Sequence, residues 1–254
     1  MINYNFLISS PLEQFEIVTL IPLNLYGFNF SLTNSSLFMI ISCSVLLFWI
    51  SLSFYSNSLI PNHWQLLQEN IYEIIVNMVQ DNLGLKGEVY FPFIFTLHLF
   101  LLFCNLIGMI PYSFTVTSHI VLTFGLALSI FIGINIIGIQ VHRFNFFSIF
   151  LPRGVPLVII PLLITIEFLS YIVKVFTLSI RLFANMTSGH TLLKIIAGFA
   201  WTMLSTGGVI ALFYIFPLVI LLVLIGLELA IAGLQAYVFT LLTCIYLNDV
   251  LELH

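Results

Sequence analysis

The chain of 254 residues is 61% hydrophobic and 6% charged, with a formal net charge of -4. Soluble chains carry about 25% charged residues, so a water-soluble domain is excluded, and the sparse, dispersed charge gives no signal for nucleic acid or an acidic partner. What remains is an all-α integral membrane protein whose spans are marked by runs of about 20 apolar residues.

Residues 1–36 form an N-terminal segment. Its opening, MINYNFLISSPLEQFEI, has no basic region and no arginine, unlike a secretory signal or an imported transit peptide. Residues 37–54 are the first span. In residues 61–84, Trp64, Leu67, Ile71, Ile74, Ile75 and Met78 recur at helical spacing, with Glu69, Glu73, Gln80 and Asp81 between them. That pattern predicts an amphipathic helix lying in the membrane interface.

Residues 89–141 read as a transmembrane hairpin turned by PYSFTVTSH. The loop that follows holds Arg143 and Arg153, two of the three arginines. By the positive-inside rule it faces the cytoplasm or matrix, with the interfacial helix on the same side and the N-terminus opposite. Cys43, Cys104 and Cys244 lie in separate apolar runs, which predicts packing residues and neither a metal site nor a disulfide framework.

Residues 155–252 depart from ordinary span lengths. The apolar stretches 155–201 and 207–247 are separated only by TMLST. As one helix the first would reach about 70 Å, against a hydrocarbon core of about 30 Å. Pro156, Pro161 and Pro217 fall toward the starts, so two long, tilted, antiparallel helices fit better than two tight hairpins. No inverted repeat of the transporter kind is present.

Ionisable groups in these stretches are few. Glu167, Lys174 and Arg181 are spaced by seven and share a stripe that Asn185 extends, while His190 stands nine residues beyond Arg181. Glu228 and Gln235 are again seven apart, and Asp249 lies near the chain end. Arginine does not release its proton, so Arg181 can only attract, repel or hold a carboxylate. Glu167 lies about 21 Å from it along the helix and His190 about 14 Å on the other side. Proton-exchanging groups thus flank a fixed positive charge, the arrangement of two access routes separated by an electrostatic gate.

Plainer readings stand beside this one. Lys174 and Lys194 fit as snorkelling side chains. His98 and His119 fit as structural or interfacial histidines, and His63 and His142 as loop residues. Asn185 and Gln235 either act on the path or join helices by hydrogen bonds worth about 0.6 kcal/mol each. Arg181 itself has an alternative as half of an internal ion pair with Glu228.

The motifs LSIRLFANMTSGHTLL around Arg181, LELAIAGLQAYVFTLLTCIYL around Gln235, NLIGMIPYSF at the hairpin and SPLEQFEI near the start occur in that order over nearly the whole chain. Together they resemble subunit a of the F-type ATP synthase, most closely its mitochondrial form. The resemblance implies a non-catalytic, cofactor-free stator subunit of the membrane sector. Its partners would be the rotating c-ring, the peripheral stalk and the lipid bilayer, in the mitochondrial inner membrane with the N-terminus toward the intermembrane space. It implies that Arg181 faces the ring's carboxylates with Gln235 beside it. His190 and Glu228 would line the half-channel from the intermembrane space and Glu167 the one to the matrix; Asn185 and Asp249 complete the implied proton path. The order of His190 before Glu228 is that of the mitochondrial type, since bacterial relatives exchange the two residue types. Ala184 stands where many relatives have glycine.

Two other classes fit less well. A secondary transporter would show repeats and broken helices. A haem-bearing subunit would need paired axial histidines, and no span carries two.

Overall fold

A computed structural model describes residues 10, 12–25, 28–29, 31–54, 61–110, 113–143, 146, 159–206 and 213–251. Arg153, Pro156 and residue 252, to which the sequence reading gave places, lie outside them. Six α-helices dominate: α1 (Asn34–Phe54), α2 (His63–Leu83), α3 (Phe91–Gly108), α4 (Ile120–His142), α5 (Ile160–Thr206) and α6 (Ile215–Leu251). Among the described residues five helical segments are long and apolar enough to cross a bilayer: Asn34–Leu52, Gly87–Gly108, Ile120–His142, Ile160–Thr206 and Ile215–Leu251.

The N-terminal segment adds two short antiparallel ribbons. β1 (Thr19–Ile21) pairs with β4 (Leu32–Thr33), and β2 (Asn24–Leu25) pairs with β3 (Phe28–Asn29). The Asn34 side chain fastens the ribbon to α1, donating to the Glu16 carbonyl at 2.9 Å and accepting from the Val18 amide at 3.3 Å. α1 then starts on reciprocal caps. The Thr33 amide donates to Ser36 Oγ at 3.0 Å, and the Ser36 amide donates to Thr33 Oγ1 at 3.4 Å, which satisfies amides that have no intrahelical acceptor.

α2 packs against α6, α1 and α3. Its buried side is Ile75, Met78, Val79 and Leu83, while Trp64, Leu67 and Ile74 point outward. The apolar stripe of the sequence is therefore shared between two surroundings, protein on one flank and open surface on the other. This division follows from two different apolar media meeting one amphipathic helix, and periodicity does not separate them.

α5 and α6 are unbroken because their prolines sit where a missing amide costs nothing. Pro161 and Pro217 lie in the first turns. TMLST, which divides the apolar stretches in sequence, is helical to Thr206; the hydroxyls of Thr202, Ser205 and Thr206 donate to carbonyls three residues back at 2.8 Å each. The break in apolarity is not a break in the helix. With 47 and 37 residues, α5 and α6 are about 70 and 55 Å long, well beyond a bilayer core.

The core lies around the C-terminal half of α6. Ala236, Phe239, Cys244, Leu247 and Val250 cluster with Ile75 and Met78 of α2, Ile94 and Leu101 of α3, Ile130 and Ile134 of α4, and Leu178 and Leu182 of α5. α1 is peripheral and holds on through contacts such as Trp49 against Phe103, with ring centroids 5.3 Å apart. Gly138 lets α4 reach α6, since a Cβ there would run into Val250 and stand 2.6 Å from a Phe146 ring carbon. Gly138→Ala is therefore expected to destabilise the fold by about 1–3 kcal/mol. Gly125→Ala, at a position with nothing within 4 Å, should be neutral. Thermal unfolding of the purified protein in detergent compares the two.

Candidate functional site

Two side-chain pairs set the register of α5 against α6. His190 Nδ1 lies 3.6 Å from Glu228 Oε1, and Lys174 Nζ lies 3.1 Å from Asp249 Oδ2. Residues later in α5 meet residues earlier in α6, so the helices run antiparallel. This register carries Gln235, which is buried on α6, to about the level of Asn185.

The buried stripe of α5 is Val175, Leu178, Ser179, Leu182 and Met186. Arg181 adjoins Leu182 and so stands about 100° round the helix from the centre of that stripe. It is half-buried, on the flank that also carries Lys174, Glu167 and Asn185. His190 falls on the opposite flank, and Gly189 faces α6 between them.

The pair His190–Glu228 is the more enclosed of the two ion-pair contacts between α5 and α6 among the described residues. The carboxyl is buried at 4% exposure. At 3.6 Å the contact with His190 is electrostatic, too long for a hydrogen bond. His190 Nε2 and both Glu228 oxygens are buried with no hydrogen-bond partner. Atoms so placed take a proton, a donor or water. Gly189 makes the approach possible, because a Cβ there would stand 2.5 Å from Glu228 Oε1 and 2.9 Å from its carboxyl carbon. On its other side Glu228 lines a cavity of about 210 Å³ with Asn185, Ser188, Gly189 and Leu227. Glu228 thus stands between the His190 ring and an open cleft that leads along α5 toward Arg181.

Arg181 has no carboxylate within 4.0 Å among the described residues; Glu228 faces His190, which stands about two and a half turns along α5 from Arg181. The internal Arg181–Glu228 ion pair does not form. The guanidinium does lie within electrostatic reach of the Tyr246 phenol on α6. Glu167 is half-buried toward the opposite end of α5 from His190, with no ion-pair partner among the described residues.

Lys174 does more than snorkel. Besides Asp249, its ammonium faces the rings of Tyr246 at 5.0 Å and Tyr171 at 6.0 Å, and the Tyr171 hydroxyl donates to Asn135 Oδ1 at 2.6 Å. Asp249 is therefore part of a half-exposed charged cluster between Glu167 and Arg181 in depth. Sequence reasoning did not find that cluster, nor the role of Gly189. The signal for the first was available: pairing His190 with Glu228 in antiparallel helices carries Lys174 to the end of α6, where Asp249 is the acid. Among the described residues no group of three or more His, Cys, Asp or Glu side chains is placed to hold a metal ion.

Comparison with known proteins shows the family. The family model described as "ATP synthase A chain" matches residues 36–248. A Chondrus crispus protein named ATP synthase subunit a is 80% identical over 250 residues, covering 98% of this chain and 99% of that relative. Proteins of the same name from Marchantia polymorpha and Brassica napus are 52% and 53% identical, covering 96% of this chain and 99% and 97% of their own lengths.

Gly189→Ala is expected to push the Glu228 carboxyl away from His190. Forcing that buried contact apart should destabilise the fold by about 1–3 kcal/mol, read as a lower Tm of the purified protein in detergent. Gly198→Ala, where an added Cβ meets nothing within 4 Å, should leave the Tm unchanged.

Proposed function

Because the chain belongs to the ATP synthase A chain family and is a multi-pass membrane protein, we propose that it is the stator of a rotary proton motor, in which Arg181 separates two offset half-channels. The observation that carries this reading is the unpaired arginine. A guanidinium in a span is costly, by estimates from about 2.5 to over 10 kcal/mol, and is retained where it meets a cavity or a partner. With no carboxylate beside it among the described residues, Arg181 is left to face an acid on another subunit, the c-ring.

Protons enter from the intermembrane space by His190 and Glu228 and reach a ring carboxylate through the cleft at Asn185. The neutralised carboxyl rides the ring through lipid for nearly a full turn. It then gives up its proton on the side of Glu167, where Asp249 and Lys174 form the polar surroundings. Arg181 stabilises the returning carboxylate and, having no proton to exchange, blocks a direct leak between the two routes. Gln235 flanks the arginine from α6.

The outward faces of α5 and α6 suit such a partner. Ile180, Leu222, Val223 and Leu234 are exposed, and Gly226 and Gly233 leave open space beside them for close approach of another helix. Each helix exceeds the bilayer thickness, which fits inclined packing against a ring. The subunit performs no bond chemistry itself and needs no cofactor; each proton crossing 100 mV supplies about 2.3 kcal/mol, and its task is to route that free energy into rotation. The arginines Arg143 and Arg153 in one loop support an orientation with the N-terminus toward the intermembrane space of the mitochondrial inner membrane and α2 in the interface on the matrix side.

The test is ATP-driven proton pumping and passive leak in vesicles carrying the complete complex with native Arg181 or Arg181→Ala, with assembly verified. Pumping is expected to vanish while the complex persists. Retained coupled pumping would make the charge structural and overturn the gate.

A further inference from the structure

The connection between α3 and α4 is unusually polar for something so enclosed. Phe114, Thr115, Val116, Thr117 and Ser118 are all buried. The turn at Val116–Ser118 packs against α5, α3 and α4. Thr117 Oγ1 and His119 Nε2 are buried with no hydrogen-bond partner, and the other orphaned atoms nearby are His190 Nε2, both Glu228 oxygens and Asn105 Oδ1.

Two hydrogen bonds tie these orphans into one region. Thr187 Oγ1 donates to the Ser118 carbonyl at 3.3 Å, which holds the connection one turn from His190. Asn105 Nδ2 donates to the Ala232 carbonyl at 3.2 Å, which holds α3 one turn from Glu228. Buried polar atoms normally find a partner, and where several orphans adjoin, bound water is the species that satisfies them together. Topology sets the direction. The connection lies at the membrane face opposite the basic loop, the same face from which the path to His190 begins.

We propose that the Ser113–His119 connection is the outer stretch of the proton path, where the Thr117 hydroxyl and the His119 imidazole hold the water that delivers protons to His190 and Glu228. His119 stacks on Phe114, with ring centroids 5.1 Å apart and planes inclined by 20°, and this fixes the plane in which its nitrogens point. Burial keeps the imidazole below its ordinary pKa, so it is neutral near pH 7 and offers both a donor and an acceptor to water. Thr117 also donates and accepts. This inference rests on the reading that His190 and Glu228 belong to a proton path.

The experiment uses the complete complex in vesicles and measures ATP-driven pumping with assembly verified. Thr117→Val and His119→Leu are each expected to slow pumping by about fivefold, the ratio set by loss of one hydrogen bond to water. Thr117→Ser, which keeps the hydroxyl, should pump as the native chain does, as should Ser129→Ala on α4, whose exposed hydroxyl donates to the Leu126 carbonyl outside the connection. Native rates in Thr117→Val and His119→Leu would overturn the proposal, as would an equal loss in Ser129→Ala. A second route avoids a folding failure: in the Thr117→Cys variant, N-ethylmaleimide should label the new thiol and block pumping. The native chain measures the background of Cys43, Cys104 and Cys244. Labelling without block, or no labelling at all, counts against a watered path there. If Arg181→Ala abolishes pumping while these variants keep it, this inference fails alone; if Arg181→Ala pumps, the larger reading fails first.

Discussion

A charge held in a membrane span needs an answer of opposite sign, and Arg181 has none among the described residues. Around that residue the other acids are occupied or distant. Asp249 is taken by Lys174 and Glu228 faces His190. Glu167 stands about 21 Å away along α5. Among the described residues Arg181 is therefore left without an acid, which is the condition the proposed motor needs.

The geometry that prevents such closure is local. Gly189 admits the Glu228 side chain into the α5 surface beside His190, on the flank away from Arg181. One missing Cβ thus lets the buried acid settle against α5 beside His190. The same logic holds at the C-terminal end of α6, where Gly138 brings α4 onto α6 and tightens the core beside the Lys174–Asp249 cluster.

Much of this was legible in the sequence, for a physical reason. In lipid, length and apolarity are strict requirements on a helix, so α1, α3, α4 and the two long helices announce themselves, and the rarity of charge makes every ionisable residue in them informative. The stripe of Glu167, Lys174, Arg181 and Asn185 followed from sevenfold spacing alone. Periodicity does not report which residue of one helix touches which of another. The Lys174–Asp249 pair, the absence of an Arg181–Glu228 pair and the enclosure of Thr117 and His119 all depend on register between elements far apart in sequence. The division of α2 between protein and open surface was hidden too, since Ile75 and Ile74 are equally apolar and only packing separates them. The ribbon formed by residues 19–33 gave no alternating pattern long enough to read as strands.

α6 has two unlike halves. From Glu228 to Val250 one residue in every turn is buried among four other helices; from Ile215 to Leu227 only Pro217 is. Mechanically this is a cantilever: a rod clamped at one end, with a free arm of about 20 Å. A sideways load on the arm is borne at the clamp by the packing of Phe239, Leu247 and Val250. The arm itself has no such packing beneath it, so it yields first to a sideways load.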